Sequence, residues 1–183
     1  MRAISRVAAP CSSTAHIVFF VDFIARGLDR GIAVGAGYWV LFGIGASVGP
    51  LLAGLLADRI GFRNALRAAY ALQTAVVALP IFDAGPISLA ISALIAGAST
   101  PGVVALTIGR TQELVPSEDA RRLAWRNCTL RFALAQAIGA YLLSDIFAQT
   151  HGYAMLFALG AGALALSLVL DLVLARNQAP LAP

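Results

Sequence analysis

The sequence predicts an all-α fold, a polytopic bundle of about six transmembrane helices, from its composition, its apolar runs and the placement of its charges. Of the 183 residues, 60% are apolar and only 12% are charged, and the mean hydropathy is +0.83. An ordinary soluble domain carries about 25% charged residues and gives most of its helices a polar face. Because the charges here gather in short joints between uncharged runs, lipid accounts for the pattern better than a protein core does.

Six apolar runs are candidates for membrane spans, since a helix needs about 20 residues, with a range of about 17 to 25, to cross the hydrocarbon core. The first is the shortest, and it contains His16 and Asp22. The others are bounded by charged residues, proline or glycine. The predicted spans cover about 12–25, 33–57, 65–82, 87–108, 130–148 and 153–175. The domain organisation predicted is a cytoplasmic segment at 1–11, a six-helix membrane unit at 12–176 and a cytoplasmic tail at 177–183.

One joint is much longer than the rest, and it runs from Arg110 to Arg126. In it Ser117 is followed by Glu118 and Asp119, a pattern typical of a helix N-terminus with acids in its first turn. The fifth helix is therefore predicted to begin before the membrane does.

The arginines predict the orientation of the bundle. All thirteen basic residues are arginines, and cytoplasmic loops of membrane proteins are enriched in basic residues. Six crossings place both termini on one side, and only Arg26 and Arg30 fall on the other. The sequence therefore predicts a multi-pass protein of the cell inner membrane with both termini in the cytoplasm. Arginines confined to joints also argue against a nucleic-acid partner, which requires a basic face with interleaved aromatic residues.

Little in the sequence supports enzymatic chemistry. The chain has two histidines and no serine in a nucleophile-elbow context, and Cys11 and Cys128 lack metal-binding or redox spacing. We therefore expect no enzyme activity, no metal and no cofactor. Gly45 and Gly49 lie in an uncharged apolar run, so they predict close helix packing rather than a dinucleotide-binding loop.

A motif lies between the second and third spans, where residues 54–66 read GLLADRIGFRNAL. It resembles the motif G-x-L-a-D-[RK]-x-G-[RK]-[RK]-x-x-[LI] of the major facilitator superfamily, which lies between the second and third helices and recurs in weaker form between the eighth and ninth. Phe62 stands where a basic residue is expected, a change that the weaker copy tolerates. With six spans, the motif makes the chain resemble the C-terminal half of such a transporter over about residues 13–176. The matching positions are Gly54, Asp58, Arg59, Gly61, Arg63 and Leu66.

The spacing of the motif has a physical logic. Gly61 supplies a tight reversal after the helix, while Arg59 and Arg63 can pair with Asp58 or with carbonyls at helix ends. Such a cluster can latch a cytoplasmic gate. The simpler interpretation is a loop whose arginines fix the orientation and whose glycine breaks the helix.

The resemblance implies transmembrane transport of a small solute, which these proteins bind between two six-helix halves and expose alternately to the two sides. One half would need a second copy as a homodimer, a separately encoded N-terminal half, or further upstream sequence. The lipid bilayer, the solute and a coupling proton are the other partners that the resemblance implies. Two alternatives stay open: a remnant that inserts but transports nothing, and a small membrane protein that serves as an assembly or regulatory partner.

Three residues inside the spans are candidates for the cavity or for coupling, because ionisable and polar groups are costly in the membrane. His16 and Asp22 lie in the first span, and the resemblance implies that the first helix of each three-helix repeat lines the cavity. The alternative for Asp22 is an ion pair with Arg26 one turn further on, and the alternative for His16 is packing. Gln136 resembles a glutamine that some family members carry in their eleventh helix.

Other polar residues in the spans have simpler explanations. Asp171 lies near the end of the last span, where snorkelling to the interface or a boundary ion pair explains it. Gln73 and Thr74 are expected to hydrogen-bond a neighbouring helix. Tyr153 is expected to lie at the membrane interface as part of an aromatic belt.

Overall fold

The computed structural model describes residues 18–115 and 117–176, and every regular element within them is helical. The described part of the first helix, α1, covers 18–27 and ends in a π-helical turn, Phe23–Gly27. The four helices that follow are α2 (Ile32–Phe82), α3 (Pro86–Leu114), α4 (Glu118–Thr150) and α5 (Tyr153–Arg176). The start of α4 at Glu118, with Ser117 as its N-cap residue, is as predicted.

Helix α2 consists of two segments that meet at Gly61. This residue has φ 79° and ψ 152°, a conformation that glycine adopts without the steric cost that a side chain would impose. Ala57 before the break and Ala65 after it belong to one buried cluster with Leu106 of α3. The predicted interruption at Gly61 is therefore confirmed, and it divides α2 into the segments 32–60 and 62–82.

The predicted bundle of transmembrane helices is confirmed. In the described residues four helices are long and apolar enough to cross a membrane, namely α2, α3, α4 and the part of α5 from Tyr153 to Val173. Since α2 contains two segments, each of them long enough to span, these helices account for five of the six predicted spans. Helix α1 occupies the place of the first predicted span, of which residues 12–17 lie outside the described residues.

Glycines bring the first segment of α2 into backbone contact with α3. A Cβ atom placed on Gly45 or Gly49 would overlap the α3 backbone at Leu94 and Ala98, and one placed on Gly97 would overlap α2 in turn. Side chains are thus excluded from both sides of the crossing, as in other close-packed membrane helices. The close packing predicted from the glycine spacing is confirmed.

Apolar clusters join the remaining helices. Phe20 and Ile24 of α1 pack with Leu89 of α3 and Phe157 of α5, and all four are fully or almost fully buried. Helix α4 has fewer neighbours and joins the bundle mainly near its C-terminal end, through a cluster that contains Leu143. Most of the first half of α4 is consequently exposed in the described structure.

The two ends of the bundle carry opposite charge. Among the described side chains, eight arginines and five carboxylates lie at the end formed by Gly61, the end of α3, the start of α4 and the end of α5. The opposite end has two arginines and four carboxylates. We call them the arginine-rich end and the acidic end. The arginines at the first are Arg59, Arg63, Arg67, Arg110, Arg121, Arg122, Arg126 and Arg131, and the carboxylates are Asp58, Glu113, Glu118, Asp119 and Asp171.

Candidate functional site

The charged residues of the motif lie at the arginine-rich end, on both sides of the break in α2. Asp58, Arg59 and Arg63 are all exposed. The ion pairs formed within the described ranges do not include any of the three. Asn64 donates a hydrogen bond from its side-chain amide to the carbonyl of Ile60 at 3.1 Å and so bridges the break. The pairing of the two arginines with Asp58, one of the two that the spacing allowed, is not formed in this conformation.

Phe62, which replaces the expected basic residue, packs against α3. Its ring lies where a Cβ atom on Gly109 would be, and it contacts the cluster of Ala57, Ala65 and Leu106. An apolar side chain at this position therefore fixes the turn at Gly61 against α3 by packing. A basic residue would leave its charge in the same contact, which costs free energy unless a partner is present.

Gly54 and Asp58 share one face of α2, opposite the face that packs on α3. Apart from its chain neighbours and the backbone of its own helix turns, no heavy atom of the described structure lies within 4 Å of a Cβ atom built on Gly54. Val40, Ile44 and Leu51 follow the same helical spacing, and they are 63%, 52% and 66% exposed. We call this the open face of α2, defined by Val40, Ile44, Leu51, Gly54 and Asp58.

Arg67, the residue that follows the motif, pairs with Asp171 of α5. Its Nε atom donates to Oδ2 of Asp171 at 2.7 Å. The Nη2 atom of Arg67 is buried and has no hydrogen-bond partner among the described residues. Of the two explanations for Asp171, snorkelling and a boundary ion pair, the ion pair is the one observed, and its partner belongs to the second segment of α2.

At the acidic end, the carboxylate of Asp22 contacts the side chains of Arg26 and Tyr153. One carboxylate oxygen lies 3.2 Å from Nε of Arg26, and the other accepts a hydrogen bond from the hydroxyl of Tyr153 at 2.5 Å. The ion pair with Arg26 was one of the two interpretations of Asp22 from the sequence. The bond to Tyr153 was not foreseen, because Tyr153 is 131 residues away in the chain.

A π-helical turn places Asp22 next to the start of α5. The amide N–H of Leu28 donates to the carbonyl of Phe23 at 2.8 Å, which closes the wider turn. The ring of Tyr153 then lies so close to Gly27 that an added Cβ atom would be 2.8 Å from it. Single π-helical turns occur frequently at functional sites, and no pattern in the sequence indicated this one.

The candidate cavity residues are not brought together in the described structure. Gln136 is half-buried on α4, eleven residues before Phe147, whose ring contacts Tyr153 at a centroid distance of 4.7 Å. At 1.5 Å per residue, Gln136 lies about 16 Å deeper along the helix than the level of Asp22 and Tyr153. His16, the third candidate, lies outside the described residues.

A further polar residue, Thr74, is placed differently from expectation. Thr74 donates to the carbonyl of Tyr70 in its own helix at 2.7 Å, so the bond predicted to a neighbouring helix is wrong. A threonine in a helix reaches this carbonyl one turn back without any partner helix. Gln73 is buried, with 4% of its surface exposed.

The described side chains contain no group of three His, Cys, Asp or Glu residues that could hold a metal ion.

A bundle of apolar helices with its charges at the two ends defines a multi-pass membrane protein, in contact with lipid along its length. A family model described as an uncharacterised MFS-type transporter, YbfB, matches residues 12–172. The chain belongs to this family of transporters, and the resemblance to the major facilitator superfamily is confirmed. A comparison with curated proteins gave no match.

Proposed function

We propose that this chain transports a small solute across the cell inner membrane as one six-helix half of an MFS-type transporter. Membership of a transporter family over residues 12–172 supports the activity. The succession of six helical segments supports the assignment to one half, since transporters of this kind are built from two such halves. The arginine-rich end, and with it both termini, then faces the cytoplasm according to the distribution of basic residues.

The open face of α2 is the observation that carries this proposal. Contact with lipid explains the exposed Val40, Ile44 and Leu51, but it does not explain Gly54 or Asp58 on the same face. Contact with a helix of a second half explains both, because Gly54 allows close backbone approach and Asp58 can receive a charged or hydrogen-bonding partner. The second half is a second copy of this chain, a separately encoded N-terminal half, or sequence that precedes residue 1 in a longer protein.

The motif then acts as a gate at the cytoplasmic end. When the two halves close there, Asp58, Arg59 and Arg63 exchange water for partners on the other half. When they open, these charges return to water at small cost, since exposed ion pairs contribute only about 0–1 kcal/mol each. Gly61 and Phe62 keep the turn itself fixed against α3 throughout the cycle.

The cavity residues have separate roles in this proposal. Gln136, half-buried near the middle of α4, offers an amide to the solute. Asp22 and His16 serve coupling near the acidic end, where the carboxylate of Asp22 contacts both Arg26 and Tyr153.

A pair of glycine substitutions tests the proposal. Gly54 and Gly162 both have open space around the position of an added Cβ atom and both lie inside helices. Gly54→Leu blocks the approach of a second half, whereas Gly162→Leu adds a side chain to α5 away from the open face. The protein and both variants are reconstituted in vesicles, exposed to a small-solute extract of the cells that make it, washed and analysed by mass spectrometry.

We expect at least one solute to accumulate with the parent protein and with Gly162→Leu, and to remain at the level of protein-free vesicles with Gly54→Leu. Accumulation that is unaffected by Gly54→Leu would show that the open face has no role in transport. A monomeric protein that accumulates nothing would favour the remnant or the regulatory partner instead.

A further inference from the structure

The start of α4 projects beyond the membrane at the arginine-rich end. The helix has 33 residues and is therefore about 50 Å long, whereas the hydrocarbon core is about 30 Å thick and needs about 20 residues. Counting back about 20 residues from Thr150 reaches Arg131. Residues 118–130 therefore lie in the headgroup layer and in the water beyond it.

One arginine attaches this projecting part to the rest of the bundle. Arg121 donates from Nε to the carbonyl of Val115 at 2.6 Å and from Nη2 to the carbonyl of Gln112 at 3.4 Å. Both carbonyls belong to the end of α3 and the joint that follows it. The contacts of Arg121 therefore hold the first turns of α4 against the end of α3.

The other arginines of this region have no strong partner. Arg126 and Arg131 are exposed and form no ion pair with any residue of 18–115 or 117–176. Arg122 lies 3.8 Å from Glu118, but both side chains are at least three-quarters exposed, and such pairs contribute little. The acids Glu118 and Asp119 occupy the first turn, which is farthest from the bilayer, so the charge nearest to it is positive.

An aromatic residue lies among these arginines. Trp125 is 42% exposed and is one turn from Arg122 along the helix and next to Arg126. Tryptophan is enriched at the level of the lipid headgroups, where the ring meets apolar chains and its N–H meets water. At 1.5 Å per residue Trp125 lies about 9 Å beyond Arg131, at the outer edge of that layer.

We propose that Arg122, Trp125, Arg126 and Arg131, the basic collar of α4, bind the headgroups of anionic phospholipids. A guanidinium matches the geometry of a phosphate with two parallel hydrogen bonds, and clusters of basic residues beside a membrane helix attract acidic lipids. An acidic protein segment would meet the same charges. Lipid is favoured because Arg126 and Arg131 lie at headgroup depth, with exposed Leu130 and Leu134 beside them.

The two tryptophans of the chain, Trp39 and Trp125, allow the proposal to be tested directly. The variant Trp39→Phe leaves Trp125 as the only tryptophan and therefore as a reporter inside the collar. It is reconstituted in vesicles of phosphatidylcholine and phosphatidylglycerol in which either lipid carries bromine at the sixth and seventh acyl carbons. Bromine quenches tryptophan fluorescence on contact, so the ratio of the two quenching values reports which lipid lies beside Trp125.

We expect stronger quenching by brominated phosphatidylglycerol, and a preference that weakens as salt is added because headgroup charge is screened. The double variant Arg126→Gln/Arg131→Gln removes two guanidiniums. Each arginine near the surface contributes about fivefold, so the preference for the anionic lipid should fall by up to about 25-fold. The matched control, Arg59→Gln/Arg63→Gln, removes the same charge from the same end and should leave the preference within about twofold.

Equal quenching by the two lipids in the parent reporter would overturn the proposal, and an acidic protein partner would then be the better occupant. Equal loss in the two double variants would also overturn it, because only the net charge of the arginine-rich end would then matter. Circular dichroism of each variant verifies that the helices are intact before quenching is compared.

Discussion

Arg67 and Asp171 are 104 residues apart in the chain, yet the guanidinium Nε of the first lies 2.7 Å from a carboxylate oxygen of the second. The contact joins the second segment of α2 to the last turns of α5 at the arginine-rich end. Buried Val77 of α2 and Leu164 of α5 pack together on the same pair of helices. The two helices are thus connected both by packing and by charge.

The ion pair should show energetic coupling in a double-mutant cycle. Arg67→Gln and Asp171→Asn should each lower the free energy of unfolding in detergent, and the double variant should lose less than the sum. Because the side chains are 23% and 47% exposed, the coupling free energy should be about 0.5–1 kcal/mol. Denaturant unfolding followed by circular dichroism measures it, and strict additivity would show that the pair contributes nothing.

A methyl group at the crossing of α2 and α3 should be destabilising. Gly49→Ala would drive a Cβ atom into the backbone of α3 at Ala98, and such overpacking costs about 1–3 kcal/mol. Gly162→Ala meets open space and should be neutral or stabilising by up to about 1 kcal/mol from helix propensity. Thermal unfolding of both variants in the same detergent gives the comparison, and equal stability of the two would contradict the close crossing.

The bond between Tyr153 and Asp22 should stabilise the acidic end. Tyr153→Phe removes the hydroxyl donor but keeps the ring that packs against Gly27. The free energy of unfolding should fall by about 1–2 kcal/mol, since the acceptor of the hydrogen bond is a charged group. Because the bond needs both side chains, Tyr153→Phe should lower the free energy of unfolding clearly less in an Asp22→Asn background than it does alone.

The loop between α2 and α3 should make stability depend on pH. The hydroxyl of Ser88 and the backbone N–H of Gly85 donate to Asp83 and lower the pKa of this carboxyl from its usual value of 3.8. A lowered pKa in the folded state means that the stabilisation is present at neutral pH and is lost as the pH falls through the folded pKa. The difference in melting temperature between the parent protein and Asp83→Asn should therefore be largest near neutral pH. The difference should vanish in strong acid. A difference that grows towards acid pH would contradict the lowered pKa of Asp83.

Local features of the sequence predicted much of this fold. Five spans follow from the length of the apolar runs, the break at Gly61 from glycine within a motif, and the crossing at Gly45 and Gly49 from their spacing. Each of these depends on residues that are neighbours in the chain or on one helix. The start of α4 at Glu118 follows from Ser117 and the acids after it for the same reason.

Contacts between distant residues could not be predicted in this way. Nothing near Tyr153 in the sequence indicates a bond to Asp22, because it arises only when α1 and α5 pack together through Phe20 and Phe157. The role of Phe62 likewise depends on Gly109 in another helix. The motif charges were predicted as a group, but their partners could not be, since no described residue supplies them.

Crosslinking through the open face tests the central claim most directly. Cys11 and Cys128 are first replaced by serine, and a single cysteine is introduced either at Leu51 on the open face or at Val169 on α5, which are 66% and 53% exposed. Native membranes are then treated with a short photo-crosslinker that couples to the thiol at one end and inserts into nearby C–H bonds at the other, and the products are separated on a denaturing gel and identified. We expect Leu51→Cys to give one discrete product, with a second copy or with another membrane protein, and Val169→Cys to give none. Only uncrosslinked monomer at Leu51→Cys, under conditions in which the thiol is labelled, would contradict the docking of a second half on this face.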